Sequence, residues 1–276
     1  LEVIMKDPSK LALSGERREV TVLFTDIRGF TSFSETCEAT RLGAILNTYL
    51  TPMTNAVFRN GGTLDKYIGD AMMAFFGAPI AQADHARRAC QTAIEIQEAV
   101  KALEVSRTAK GEPAFKIGVG LNTGVVSLGN MGSQHLFNYT VLGDEVNLGS
   151  RLEGTTKYYG AAILASGRTV RAAGDAVVSR FLGRVRVVGK EEPIEVFEPL
   201  AMREGAGAEI VAYTLRFGAA VELYQAGRVE EAKAAFEELY AGRADDATRF
   251  WIAQCDAALT APPPEELDGV IQMTGK

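Results

Sequence analysis

The stretch from Val20 to Gly77 constrains the fold most. It opens on Val20-Thr21-Val22-Leu23-Phe24-Thr25-Asp26, a β-branched and aromatic run that ends on a carboxylate. It closes on Gly61-Gly62-Thr63-Leu64-Asp65-Lys66-Tyr67-Ile68-Gly69-Asp70-Ala71-Met72-Met73-Ala74-Phe75-Phe76-Gly77. The closing run reads as two short apolar strands joined at Gly69-Asp70, a two-residue turn with glycine first, as a tight hairpin prefers. If the hairpin pairs beside the first strand, Asp26 and Asp70 converge at one end of a sheet. Two convergent carboxylates with little else form a hard oxygen site, which suits Mg²⁺ bridging a polyphosphate. Either aspartate alone reads more simply, as a turn former or a helix cap. Together they read as a site, because Asp26 leads into Ile27-Arg28-Gly29-Phe30-Thr31-Ser32. That is a glycine-containing turn into a helix, where free backbone N–H groups can meet an anion.

The rest of the chain bounds what surrounds this stretch. At 276 residues it can hold one large domain and a small one. A net charge of −6 argues against a nucleic-acid partner, which would select a basic surface. Cys37, Cys90 and Cys255 lie far apart without metal spacing and read as thiols of a reducing compartment. Cys90 falls in an apolar helical pattern and is expected in the core. No run is long and apolar enough for a transmembrane helix.

Along the chain, residues 1–18 read as a polar linker and Glu19–Thr25 as the first strand. Ser32 and Glu35 suggest a capping box opening a helix whose stripe is Leu42, Ile45, Leu46, Tyr49, Leu50, Met53 and Val57, kinked at Pro52. A second helix is expected from Asp84 to about Val105. Phe115–Asn122 reads as a strand whose glycines imply a close neighbour. Val125–Gly129 and Tyr139–Leu142 read as a hairpin, Asp144–Tyr159 as a helix and Ala162–Ala165 as a short strand. A short helix at Gly167–Ala173 and strands over Val177–Val188 and Ile194–Glu198 follow. Strands mixed with crossing helices give an α+β layer fold.

Phe24-Thr25-Asp26-Ile27-Arg28-Gly29-Phe30-Thr31 and Asp65-Lys66-Tyr67-Ile68-Gly69-Asp70 resemble the signatures of the class III nucleotidyl cyclase catalytic domain. The resemblance runs from about Glu16 to Leu200, and the domain is expected over 19–200. It implies a ferredoxin-like βααββαβ core with a mostly antiparallel sheet. It implies conversion of ATP or GTP to the 3′,5′-cyclic nucleotide and pyrophosphate. Two ions, Mg²⁺ or Mn²⁺, would be held by Asp26, Asp70 and the Ile27 backbone. Ile27, Gly29, Phe30 and Thr31 would also meet the triphosphate.

Lys66, four residues before Asp70 on what reads as one strand, is expected on the same face. By resemblance, Lys66 and Thr140 would select adenine: Lys66 donates to a ring nitrogen and Thr140 accepts from the exocyclic amine. Asn147 and Arg151, four apart on one helix face, would orient the ribose and stabilise charge at the α-phosphate. A head-to-tail homodimer is implied, with Asp26 and Asp70 from one subunit and Lys66, Thr140, Asn147 and Arg151 from the other.

Two departures stand out. His135, in Ser133-Gln134-His135-Leu136, lies where the family often has a phosphate-binding Arg. Val187-Val188-Gly189-Lys190 replaces a Val-Lys-Gly-Lys type run, and Lys190 or Arg186 would stand in for the lost Lys. The expected activity is adenylyl cyclase. Its rivals are a nucleotide-binding regulatory module without turnover, suggested by His135 and Val188, and a guanylyl cyclase, disfavoured by Lys66 and Thr140. The Gly-Gly-acid-acid-Phe hairpin of diguanylate cyclases is absent.

From about Ala206 the texture changes to helical runs at 206–261 that resemble part of a tetratricopeptide repeat, with Pro262-Pro263-Pro264 opening a tail over 262–276. The first residues, Glu2 to Pro8, resemble the linker that follows transmembrane sensor regions in some bacterial cyclases. A cytoplasmic location is expected, either free or as the cytoplasmic part of a membrane-anchored protein with an upstream sensor.

Overall fold

The spine of the sheet is β1 (Gly15–Ile27), antiparallel on both sides to its neighbours. The computed structural model describes residues 15–133, 135, 137–187, 192–260 and 270–272. After β1 come the helices α1 (Phe30–Ser34) and α2 (Ala39–Arg59), then the hairpin β2 (Thr63–Ile68) and β3 (Ala71–Phe76). Helix α3 (His85–Ala109) returns the chain to β4 (Ile117–Gly132). This gives the expected order βααββαβ. Then follow β5 (Phe137–Leu142), α4 (Asp144–Tyr159), β6 (Ile163–Ser166), α5 (Gly167–Ala173), β7 (Val177–Arg186) and β8 (Ile194–Met202). Helices α6 (Ala208–Gln225), α7 (Val229–Gly242) and α8 (Asp246–Thr260) precede a last short strand, β9 (Val270–Gln272).

From one edge the strands run β2-β3-β1-β4-β6-β8-β7-β9, and β5 pairs with the far half of β4. The β4–β6 and β7–β9 pairings are parallel. The sheet is therefore mixed within an α+β fold: six of its eight described pairings are antiparallel, as the resemblance implied for most of it, and these two are parallel.

Alternation along β1 builds two cores. Leu23 and Ile27 face α2 and α3, where Tyr49, Met53, Val57, Cys90 and Ile96 are buried. Val20, Val22 and Phe24 face the other way, towards Val126, Val141 and Val146. With a side-chain period of two, Asp26 belongs to the second face. Helix α4 lies hard against that face. A Cβ on Gly149 would come 2.6 Å from Val22 Cγ2, and a Cβ on Gly120 would collide with the α4 backbone at Gly149 and Glu153. The glycines of β4 thus admit a close neighbour, as their pattern implied.

Several boundaries differ from the sequence reading. β1 starts at Gly15, inside the expected linker, because its polar first residues pair through backbone with Val125–Gly129 of β4. Ser32 and Glu35 open no helix. α1 starts after Gly29 (φ 72°) and stops at Ser34, and α2 starts separately after Glu38. Phe30 and Phe33 fold α1 into a ring cluster with Phe115. α2 runs through Pro52. The two expected strand runs around Asn122-Thr123-Gly124 are one strand, because the polar break is satisfied inside. Asn122 Nδ2 donates to Glu145 O and Oε2, both at 2.8 Å, and the Thr123 hydroxyl meets Thr21 at 2.8 Å. Residues 270–272, expected in the tail, form β9 against β7.

The C-terminal helices pack on β7. Phe217, Val221, Phe236 and Trp251 share one core with Leu182, Val185 and Tyr159. Within this contact Arg180 is buried. It donates to Glu198 at 2.8 and 2.6 Å and to Asp245 at 2.9 Å, and also bonds Tyr213.

Candidate active site

The β2–β3 turn is the expected one. Gly69 takes φ 63°, a conformation glycine reaches without steric cost, and Asp70 follows it. β2 ends at Ile68, so Asp70 lies in the turn and not on the strand. The expectation that Lys66 and Asp70 share a strand face therefore fails, and the two belong to different clusters.

The first cluster gathers at the end of β1. Burial, and to a smaller degree the nearby Asp26 carboxylate, raises the Asp70 carboxyl above its ordinary value, while the Ile27 backbone N–H lowers it. Lys157 of α4 reaches Asp26 Oδ2 at 3.4 Å. Beside them Arg28 pairs with Glu153 at 3.3 Å and bonds Thr156. Burial pushes the Glu153 carboxyl up to about 7, with Arg28 opposing and Asp26 adding to the rise. Two carboxylates pressing on each other, both hard oxygen donors, fit a divalent cation that would relieve their repulsion. Among the described residues no group of three or more His, Cys, Asp or Glu offers a fuller metal cage. Gly29 and Thr31 are exposed at the start of α1, whereas the Phe30 ring is buried and leaves only its backbone to the site.

The second cluster lies between β2 and β5. Lys66 Nζ stands 3.5 Å from Thr140 Oγ1, and Thr140 is buried. The two residues expected to read the base are thus in contact. Asn147 is exposed on α4, and Arg151 one turn on is half-buried with its Nη1 enclosed and without a hydrogen-bond partner. Such an orphaned buried donor is costly unless an anion comes to it. Neither nearby carboxylate of α4 takes it: Glu153 goes to Arg28 and Glu145 to Asn122.

On a helix at 100° per residue, the Asn147/Arg151 edge and the Glu153/Lys157 edge lie about 120° apart and about 9 Å along the axis. One edge of α4 meets the Asp26 cluster, and the other looks elsewhere. His135 is exposed, its backbone N–H donating to Ser133 Oγ at 3.3 Å. Lys190 and Val188 lie outside the described residues.

Four residues of these clusters were not singled out from sequence: Arg28, Glu153, Lys157 and Asp65, which adjoins Lys66. Glu153 and Lys157 stand four apart on α4, a spacing that marks one helix face and was the available signal.

Residues 14–197 match the family described as adenylate and guanylate cyclase catalytic domain. Adenylate cyclase 1 of Rhizobium meliloti (strain 1021) is 36% identical over 182 residues, which is 66% of this chain and 27% of that protein. The adenylate cyclase of Anabaena cylindrica is 38% identical over 185 residues, 66% of this chain and 36% of that protein. The chain thus spans little more than a third, or less, of these relatives. Among solved structures, the adenylyl cyclase CyaB from P. aeruginosa is 36% identical with a TM-score of 0.65, covering 71% of this chain and 100% of that one. The guanylyl cyclase Cya2 is 35% identical with a TM-score of 0.63, covering 71% of this chain and 98% of that one. The family match ends before α6, so the tetratricopeptide resemblance of the last helices gains nothing from it. With both signature stretches, the βααββαβ order and the paired aspartates in place, the chain belongs to the adenylate and guanylate cyclase catalytic domain family.

Proposed function

We propose that the chain is an adenylyl cyclase that converts ATP to 3′,5′-cyclic AMP and pyrophosphate. Overall likeness does not choose the nucleotide, since an adenylyl and a guanylyl cyclase are about equally similar. The observation that carries the choice is the Lys66–Thr140 contact, which sets an ammonium donor beside a hydroxyl. That pair suits a ring nitrogen acceptor next to an exocyclic amine.

In the reaction the ribose 3′-oxygen bonds to the α-phosphorus, the α–β phosphoanhydride bond breaks, and the 3′-hydroxyl proton leaves. Asp26, Asp70 and the Ile27 backbone would hold Mg²⁺ or Mn²⁺, two ions per site. Such ions, when bound, acidify the hydroxyl and neutralise the leaving pyrophosphate. Arg151 brings its unpartnered Nη1 to the charge that builds on the α-phosphate. Asn147, on the same edge, orients the ribose. Backbone N–H groups from Gly29 to Thr31 meet the phosphates, and Lys190 would add a further contact. Asp26 or solvent takes the proton.

The 120° between the two edges of α4 supports a head-to-tail homodimer with shared sites. Asp26 and Asp70 of one subunit would work with Lys66, Thr140, Asn147 and Arg151 of the other. No described helix is long and apolar enough to cross a membrane. The domain division we propose places the cyclase domain over 19–200, with β1 extending it back to Gly15, and a helical extension over 206–261.

The test is cyclic nucleotide formation from ATP and GTP in parallel, with Mg²⁺ and Mn²⁺. Cyclic AMP from ATP, abolished by Asp26→Ala, is the expected result. A chain that binds ATP yet forms no product would instead be the regulatory module that His135 and Val188 suggested.

A further inference from the structure

The Lys66–Thr140 contact has a third member. The Asp65 side chain is fully buried, and Lys66 Nζ stands 3.5 Å from its Oδ1. Thr140 Oγ1 donates to Asp65 Oδ2 at 2.5 Å. In an unbroken strand Asp65 and Lys66 would point to opposite faces. The β2–β3 register shifts between Leu64 and Lys66, so Asp65 is the extra residue of a bulge. Bulges re-aim side chains, and here Asp65 and Lys66 both reach Thr140 of β5.

A hydroxyl has one proton and two lone pairs, and a carboxylate only accepts. The Thr140 proton is therefore committed to Asp65, which leaves Thr140 only lone pairs to offer a ligand. Lys66, an ammonium, can only donate. The pair then shows a fixed donor–acceptor pattern. It matches the acceptor nitrogen and amine of adenine, and it opposes the N–H and carbonyl of guanine. Without the carboxylate, the Thr140 hydroxyl could turn and donate to a carbonyl.

We propose that Asp65 is a specificity-determining positioning residue that holds the Thr140 proton and so makes Thr140 an acceptor for the amine of an adenine nucleotide. This rests on the cyclase reading above. Sites built on directed hydrogen bonds reject mismatched ligands strongly, because the mismatch leaves buried polar groups unpaired.

The experiment uses the whole chain and compares ATP with GTP. In Asp65→Asn the amide can donate to Thr140 and free its proton. The ATP:GTP ratio of kcat/KM should fall by about tenfold or more, the size of one reversed hydrogen bond. Thr140→Val should lower the ratio as well, and Asp65→Asn added to it should change the ratio no further. Thr140→Ser keeps the hydroxyl and should keep the ratio. Equal losses for both nucleotides in Asp65→Asn would make Asp65 a scaffold residue and overturn the proposal. So would an Asp65→Asn effect that persists without the Thr140 hydroxyl.

The unmodified chain gives a test independent of folding or turnover. By calorimetry, inosine triphosphate, with a 6-carbonyl, should bind more weakly than the 6-unsubstituted purine riboside triphosphate, and ATP most tightly. The inosine nucleotide binding more tightly than the unsubstituted one would overturn the proposal. The cyclase reading fails separately, if no cyclic product forms while that affinity order holds.

Discussion

Gly120 shows how one residue reaches the chemistry. Its missing side chain is what lets α4 rest on β4, and α4 carries Asn147 and Arg151. Gly120→Ala must push the helix backbone away, since the colliding atoms belong to Glu153 and Gly149 and cannot rotate aside. Overpacking of this kind costs about 1–3 kcal/mol, read as a lower urea midpoint. Activity should fall further than stability does, by on the order of tenfold to a hundredfold in kcat, if the displaced helix carries Asn147 and Arg151 to the ribose and α-phosphate as proposed. A variant that loses stability but keeps kcat would place the contact outside the catalytic geometry. At this scale the sequence was legible where a residue acts through its type: Asp26 with Asp70, and Lys66 with Thr140, were singled out from their motifs, and the structure brings each pair together. It was not legible where a residue acts through its neighbours. Lys157 meets Asp26 across 131 positions of chain, and no local pattern announces that pairing.

Among the elements, the docking of the C-terminal helices is the contact most exposed to test. Arg180 of β7 sits between Glu198 of β8 and Asp245 at the start of α8, and its guanidinium lies 4.7 Å from the centre of the Phe217 ring. Asp245 is held below its ordinary range: burial opposes this, but Arg180, Tyr213 and the Thr248 backbone outweigh it. Arg180→Met leaves the buried Glu198 carboxylate without its cation and leaves Asp245 only Arg243, 3.9 Å away. The expected loss is about 3–5 kcal/mol by urea unfolding, as for breaking a buried pair from one side. Replacing Glu198 and Asp245 by Gln and Asn in the same chain should recover part of it. If the single variant loses under about 1 kcal/mol, the cluster is ornamental and apolar packing alone holds the helices. Element existence was readable from periodicity nearly throughout. Boundaries failed where tertiary contacts overrode local signals: the aromatic cluster that ends α1 at Ser34, and the buried Asn122 and Thr123 that let β4 continue.

For the whole molecule, the arrangement of α4 bears on assembly. If sites form across a homodimer, Asp70→Ala and Arg151→Ala proteins break opposite halves. Each should be inactive alone, and an equimolar mixture should regain about a quarter of the wild-type rate, since a mixed dimer keeps one intact site and half of the dimers are mixed. No recovery, with subunit exchange confirmed, would assign both halves to a single chain. The fold itself was legible because binary pattern and turn chemistry give the element order over residues 15–132 even where boundaries shift. The parallel pairings were not: β6 reads as a strand but its partners cannot be read, and β9 lies in what reads as a tail, so the direction of pairing depends on neighbours far along the chain. The bulge at Asp65 also bears on descent. β2 is an edge strand, so losing one codon there would restore plain alternation, turn a side chain away from Thr140, and leave the pairs nearer the Gly69 turn as they are. If Asp65 sets the purine preference as proposed, that preference can drift in a lineage of such chains while the β2–β3 pairing is kept.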